Sequence, residues 1–466
     1  MRASIAAEAA GVPTVSLVCE GFVGQAQATG RGFGYEGMAL GVLSGHVDAQ
    51  TTDEMEANVI GVVDQLVDGL TKALAETPEA SGEPAATDIV ASGSIDDINA
   101  EFTRQGWTDG SPIIPPTLDR VHAYLADTGH DPWRTVGTAT SSGRDMTIWS
   151  IAVNAVMAGC RPSHLPVLIA AAEVLADPHY GSEHSGNTTG ADALMIIDGP
   201  SIDELGLNFG EGALREGVHA NTSIGRWLRL YQRNVLDFTA DAHDKATFGN
   251  STRVVLAEDM AALDEIGWGS VSADFGFEAS DDVVTMARFN SGIIVGSVFG
   301  ATPEQIVPYL ADSLMRVSGW DLTHVYGLGQ GHYRPLLILS PILARIFGRA
   351  GWSKDDLRAA LYDQARMPAW RFEKLIGDWS NLTAGRRRLL DIANEGHLPP
   401  EFGESEDPDR LVPIVTGPDK FVVAVAGDPH RTNAYVLSHD GPHGDYVAKR
   451  IDRSFSTDLL CEVPPA

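Results

Sequence analysis

The chain has 466 residues, with 33 Lys and Arg against 63 Asp and Glu, so its formal charge is −30 at pH 7 while 44% of its residues are hydrophobic. That supply of apolar side chains excludes a disordered chain, and the length allows one small and one large domain. So large an acidic excess excludes a sequence-independent grip on nucleic acid or an anionic membrane surface, both of which need clustered basic residues, and points to a well-solvated surface.

In chain order, Arg2 to Ala10 predicts a helix, the β-branched run Val12 to Val18 a strand, and Thr52 to Leu74 a helix capped by Thr52. These make residues 1–75 a partial doubly wound α/β domain that opens on a helix instead of on a strand and loop. Residues 76–94, rich in Pro, Ala, Gly, Ser and Glu, read as a linker. Beyond it, residues 95–466 read as a large mixed α/β (α+β) domain with a C-terminal hairpin segment. Helices are expected from Ile95 (capped by Ser94 and Asp97), from Thr117, over Asp145 to Gly159 and over Ser163 to Leu175. Strands at Ala193–Asp198, Arg253–Ala257, Asp282–Phe289, Gly292–Val298, Pro335–Leu339 and Phe421–Ala426 then alternate with helices at Ser223–Val235, Pro303–Val317, Pro341–Arg349 and Lys354–Arg366. Thr302-Pro303 and Ser340-Pro341 place proline at the first helical position after a cap.

Cys19, Cys160 and Cys461 are too far apart for a disulfide framework or a zinc motif. No secretory signal opens the chain and no run reaches the roughly 20 apolar residues of a membrane span. The expected location is the cytoplasm. Cys160, ahead of an inferred helix and beside Arg161, is the candidate nucleophile, because a positive helix end and a guanidinium both favour thiolate; a buried small hydrophobe is the competing reading. The polar loop His179 to Gly190 offers His184, Asn187 and Thr188 to a ligand, and although it holds His179, Glu183 and His184, their spacing matches no metal motif. Asn221 caps a helix whose Arg226, Arg229 and Arg233 share one face, where they could hold a carboxylate or phosphate or else pair with internal acids. His430, in Gly427-Asp428-Pro429-His430-Arg431 directly after a strand, suits a site at the carboxyl edge of a sheet or a plain turn.

The segments Asp109-Gly110-Ser111-Pro112-Ile113-Ile114-Pro115-Pro116-Thr117, Asn154 to Cys160, Asn221 to Leu230, and Leu339-Ser340-Pro341 with Ala350 to Lys354 resemble the large domain of UGSC-type (seleno)proteins. Gly11-Val12-Pro13-Thr14-Val15 resembles their smaller domain, so the resemblance runs over most of the chain. It implies redox chemistry at a selenocysteine or cysteine in a U/C-Gly-Ser-Cys loop upstream of the helix corresponding to Arg2–Ala10. No such loop occurs in this sequence, and Cys19, after the second strand, does not take its place. Two explanations compete, a reading frame that extends upstream of Met1 or a member that does without the redox loop; the first is the expectation, because a sheet without its opening strand leaves an unpaired edge, and an in-frame Cys-Gly-Ser-Cys, or TGA in its place, in the upstream DNA would decide for it.

The functional expectation is a thiol- or selenol-dependent enzyme, reductive or cleaving a carbon–heteroatom bond, acting on a small anionic molecule. Cys160 would be the nucleophile, His184 or His430 would transfer protons, and Arg161, Arg226, Arg229, Asp109, Asn187, Thr188 and Asn221 would contact substrate. No motif names a cofactor or metal, and a homo-oligomer is compatible with the sequence. The alternative is a non-catalytic ligand-binding or scaffold subunit.

Overall fold

The computed structural model describes residues 2–35, 37–47, 50–71, 84–126, 128–184, 187–240, 243–250, 254–322, 325, 331–379, 388–441 and 444–453. In the N-terminal unit, β1 (Ser16–Cys19) pairs in parallel with β2 (Leu40–Leu43), flanked by α1 (Arg2–Ala9), α2 (Val23–Gly32), α3 (Thr52–Gly61) and α4 (Val63–Thr71). Parallel neighbours need a crossover, which α2 supplies. The periodic run from Thr52 is two helices meeting at Val62, and Thr51 is its cap instead of Thr52: the Thr51 hydroxyl accepts from Glu54 N–H at 3.3 Å while the Glu54 carboxylate accepts from Thr51 N–H at 2.8 Å. Gly41 lets α4 lie against β2, since a Cβ there would stand 2.8 Å from Leu66 and 2.9 Å from Leu17.

The described part of the linker, from Pro84 onward, lies along the large unit and leads into α5 (Ile95–Arg104) and α6 (Leu118–Leu125). The helix expected from Asp145 begins later, because Asp145–Thr147 is strand β4, paired antiparallel with β3 (Thr135–Thr138); Thr147 then caps α7 (Ile148–Ala158) in a box with Ser150. Gly159, at φ 81°, ends α7 in the left-handed conformation that glycine adopts without a Cβ penalty. The nearly all-apolar α7 and α8 (Leu165–Ala176) are buried, as helices without a polar face must be.

Next come β5 (Asp192–Asp198), α9 (His219–Asn234), β6 (Leu256–Ala257), α10 (Met260–Ile266), β7 (Val283–Val295), α11 (Pro303–Val317), β8 (Leu336–Leu339), α12 (Pro341–Arg349) and α13 (Lys354–Gln364). The chain continues with β9 (Arg366–Pro368), α14 (Ala369–Ile376), α15 (Leu389–Asn394), β10 (Leu411–Pro413), β11 (Val422–Val425), β12 (Ala434–His439) and β13 (Val447–Arg450). The two strands expected around Asn290 are one strand, β7, whose pairing with β12 carries a bulge at Ser438/His439.

The main sheet runs β11-β8-β12-β7-β5-β6, with β13 added on β7. It curls until its outer strands meet: Asp259 N–H donates to the Val425 carbonyl at 2.8 Å, and Val425 N–H to the Glu258 carboxylate at 3.1 Å. Strand alternation then sorts side chains into two populations. Leu194, Ile196, Leu256, Ala287, Phe289, Leu336, Ile338, Val422, Ala424 and Leu437 fill the inside of the curl. Outward residues of β5 and β7 pack under α7, α8 and α9, and those of β8, β11 and β12 under α11, α12 and α13. The sheet is thus a shared wall between a small interior and two helical layers.

His164, just before α8, is fully buried, and burial, with His219 and Arg161 adding to it, pushes its pKa down to about 4. A depressed folded pKa means that the neutral ring supports the fold fully above its ordinary value near 6.5 and that this support is lost as pH falls toward 4, an effect of about 3 kcal/mol. The thermal midpoint is expected to drop over that interval more steeply in the wild type than in His164→Gln; equal slopes would refute the assignment.

Candidate functional site

Where the N-terminal unit meets the large one, a cleft of 460 Å³ opens between Ala3, Val18, Phe22, Gln25, Ala26 and Thr29 on one side and Ser141, Glu183, His184 and His243 on the other. The first wall is the N-terminal end of α1 and the carboxyl end of β1 with the following turn and α2, the edge at which doubly wound sheets bind ligands. The second wall is polar. The His184 imidazole is 53% exposed and its Nε2 stands 3.9 Å from Glu183 Oε1. The other Glu183 oxygen accepts from the Thr140 hydroxyl at 2.9 Å, and that hydroxyl in turn accepts from Ser182 Oγ at 2.9 Å, so the carboxylate is held from behind. His243 is buried; its Nδ1 faces the Asp237 carbonyl at 3.0 Å, which places the proton on Nδ1 and turns Nε2 toward Thr29 Oγ1 at 3.4 Å, across the junction.

Residues 1–72, which hold the parallel pair and its flanking helices, match the model of the UGSC family. The N-terminal unit is a UGSC-type unit. No curated protein and no solved structure matches the chain.

Of the residues expected to act, His184 alone lines the cleft against the UGSC unit. Cys160 does not: it is buried under α7 and α8, with the Ser223 hydroxyl as hydrogen-bond partner, and burial pushes its thiol up to about 12. The expected lowering by Arg161 is therefore corrected. Desolvation dominates, with the Ser223 hydrogen bond pulling the other way, and the Arg161 side chain is exposed. Native protein is expected to leave Cys160 unmodified by iodoacetamide at pH 8 and to modify it on denaturation; rapid native labelling at this residue would reverse the conclusion.

The arginine stripe is likewise engaged internally. Arg226 forms a two-pronged pair with Asp109 at 3.0 and 3.1 Å and also donates to the carbonyl of Pro112 at 2.7 Å, holding the Asp109–Pro112 segment onto α9. The Asp109 carboxyl is desolvated, which alone would raise its pKa, yet the Arg226 guanidinium holds it below the ordinary value. Arg229 pairs with Asp192 and donates to the Asn250 carbonyl at 3.1 Å. Asn221 is no cap: α9 begins at His219, and the buried amide bridges Asn208 and the Val255 carbonyl at 2.8–3.1 Å. His430 sits on an exposed turn after β11 and does not line the cleft. The expected convergence of Cys160, His184, Arg226 and His430 on one cleft is not found.

Asn187 and Thr188 brace the loop that carries His184. Asn187 Nδ2 donates to Asp440 at 2.8 Å, its Oδ1 accepts from Gly190 and Ala191 N–H at 3.1 Å, and the Thr188 carbonyl accepts from Thr247 N–H at 3.0 Å. Asp440 belongs to a buried network that the sequence left unseen. Asn290 bridges Asp440 at 3.3 Å and Asp321 at 2.6 Å, and Arg288 lies 3.7 Å from Asp440. Burial raises the Asp321 carboxyl to about 6, while the Ser438 hydroxyl and Asn290 amide pull the other way. Sequence signals existed only for the loop; Asp237, Thr140 and His243 carry no motif. Among the described residues no group of three or more His, Cys, Asp or Glu side chains could hold a metal ion, and no helix is long and apolar enough to cross a membrane.

Proposed function

We propose that the cleft between the UGSC unit and the large unit is the active site of a thiol- or selenol-dependent enzyme that reduces a small molecule or cleaves its carbon–heteroatom bond. What supports this reading is that the Glu183–His184 turn stands across the cleft from the N-terminal end of α1, the end ahead of which the resemblance would set a redox loop. An external dithiol supplies the two electrons and ends as a disulfide; of its two S–H protons one goes to the carbon and the other restores the proton that His184 gives up. The carbon–heteroatom bond is replaced by carbon–hydrogen, and the imidazolium of His184 gives the departing heteroatom its proton. Substrate anionicity stays part of the proposal, although Arg226 and Arg229 no longer supply its grip.

The test is a panel of α-substituted carboxylates and their neutral amides with dithiothreitol as electron donor, read as loss of free thiol. Thiol consumption that depends on His184 supports the enzyme. Saturable binding without thiol consumption supports instead the ligand-binding subunit, a reading favoured by the buried, protonated Cys160.

A further inference from the structure

A second cavity, of 530 Å³, lies in the large unit between the Pro84–Ala91 strap and α5, α6 and α7. It is separate from the cleft and shares none of its lining residues. The strap is held where it is: Trp149 Nε1 donates to the Ala86 carbonyl at 3.0 Å, and the Asp88 carboxylate accepts from Ala85 N–H at 2.8 Å, closing a turn on itself. Phe102, Trp107 and Trp149 line it together with Val153 and Met157, making an aromatic and apolar slot in which Phe102 and Trp107 meet edge to face at 5.3 Å. The charged side chains that line the cavity, Asp88 and Asp119, are both acidic and exposed; no Lys or Arg is among its lining residues.

We infer that this cavity binds an amphiphilic organic cation, a protonated amine or quaternary ammonium on an apolar body. Indole and phenyl faces attract a cation through their quadrupole and accept its apolar body at the same time, and carboxylates at the rim complement its charge. A neutral apolar ligand would use the walls and leave the rim unanswered; an anion would be repelled there. The slot is large enough for a ligand of drug-like size, whose occupancy would add contacts to the strap and hold it down.

Calorimetric titration of the full chain with benzyltrimethylammonium, and with benzenesulfonate as the anionic counterpart, tests the inference. Saturable binding of the cation is expected, at least about tenfold tighter than of the anion. Asp88→Asn combined with Asp119→Asn is expected to weaken the cation about tenfold, a local effect because it changes the net charge of −30 by only two. Val153→Trp, which fills the slot, abolishes binding. Absence of saturable binding to the wild type, equal affinity for the anion, or an unchanged affinity in the double variant would overturn the inference; the last two comparisons do not depend on whether Val153→Trp folds.

Discussion

His184→Gln is expected to lower the turnover measured in the thiol-consumption assay by about 10²–10⁴-fold, the range that a positioned acid–base group contributes. Glutamine keeps a side chain that can hydrogen-bond at a half-exposed position, so packing of the Gly181–His184 turn stays intact and only the titrating group is lost. The Michaelis constant should change little, since the ring acts on the reacting bond, and the fall of rate on the alkaline side should flatten. Glu183→Gln probes the ring through its neighbour. The substitution removes the carboxylate 3.9 Å from Nε2 and should lower the rate roughly tenfold near neutrality. A His184→Gln enzyme with wild-type turnover and pH profile would remove this residue from the mechanism and leave the cleft without its acid.

For stability, the largest expected effect is at the seam of the curled sheet. Glu258 is fully buried; its carboxylate accepts from Val271 N–H at 2.6 Å and from Val425 N–H at 3.1 Å, and it faces the buried Lys354. Burial pushes the carboxyl up and the ammonium down, while each opposes the shift of the other. Asp198, held by Ser272, and Asp274, paired with Arg358, complete the cluster. Glu258→Leu leaves two buried N–H groups without an acceptor and an ammonium without its main counter-charge, a loss of about 3–5 kcal/mol. Glu258→Leu with Lys354→Met should recover part of it, because the second substitution removes the orphaned charge and leaves only the backbone groups unmet. Denaturant midpoints followed by far-UV dichroism would show both, and amide exchange at Val425 and Asp259 should accelerate in the single variant. A Glu258→Leu protein as stable as the wild type would mean that the seam is held by strand pairing alone.

Local chemistry made much of this fold legible. Pro303 and Pro341 open α11 and α12 at the expected first helical position, although neither the Thr302 nor the Ser340 side chain makes a capping hydrogen bond, and the alternation of strands and helices gave the mixed α/β class. What stayed hidden depends on distant partners. Asp145–Thr147 suits a helix by composition and becomes a strand because Thr135–Thr138 is there to pair with it. The shared face of Arg226 and Arg229 follows from helical periodicity, whereas the acid that neutralises Arg226 lies 117 residues away in sequence. Two local signals favoured a Cys160 thiolate, and burial, a property of the assembled core, decided against it. At the cleft, the loop carrying His184 was visible as polar and histidine-bearing, but His243 and Thr29, 214 residues apart, meet only through the packing of the UGSC unit on the large one.

The closed seam also dictates an order of events during folding. Glu258 and Val425, which fasten β6 to β11, are separated by 167 residues, and β8, β11 and β12 on the far side of the curl come from the last third of the chain. On the ribosome, α7, α8 and α9 can assemble soon after synthesis, while β5 and β6 wait for strands not yet made. Closure over so long a separation carries a large entropic cost before any contact repays it, so it should be the slow phase of refolding. Until then the inner faces of β5 and β7, which the finished fold hides, stay exposed on the nascent chain, the stage at which this protein is most open to aggregation.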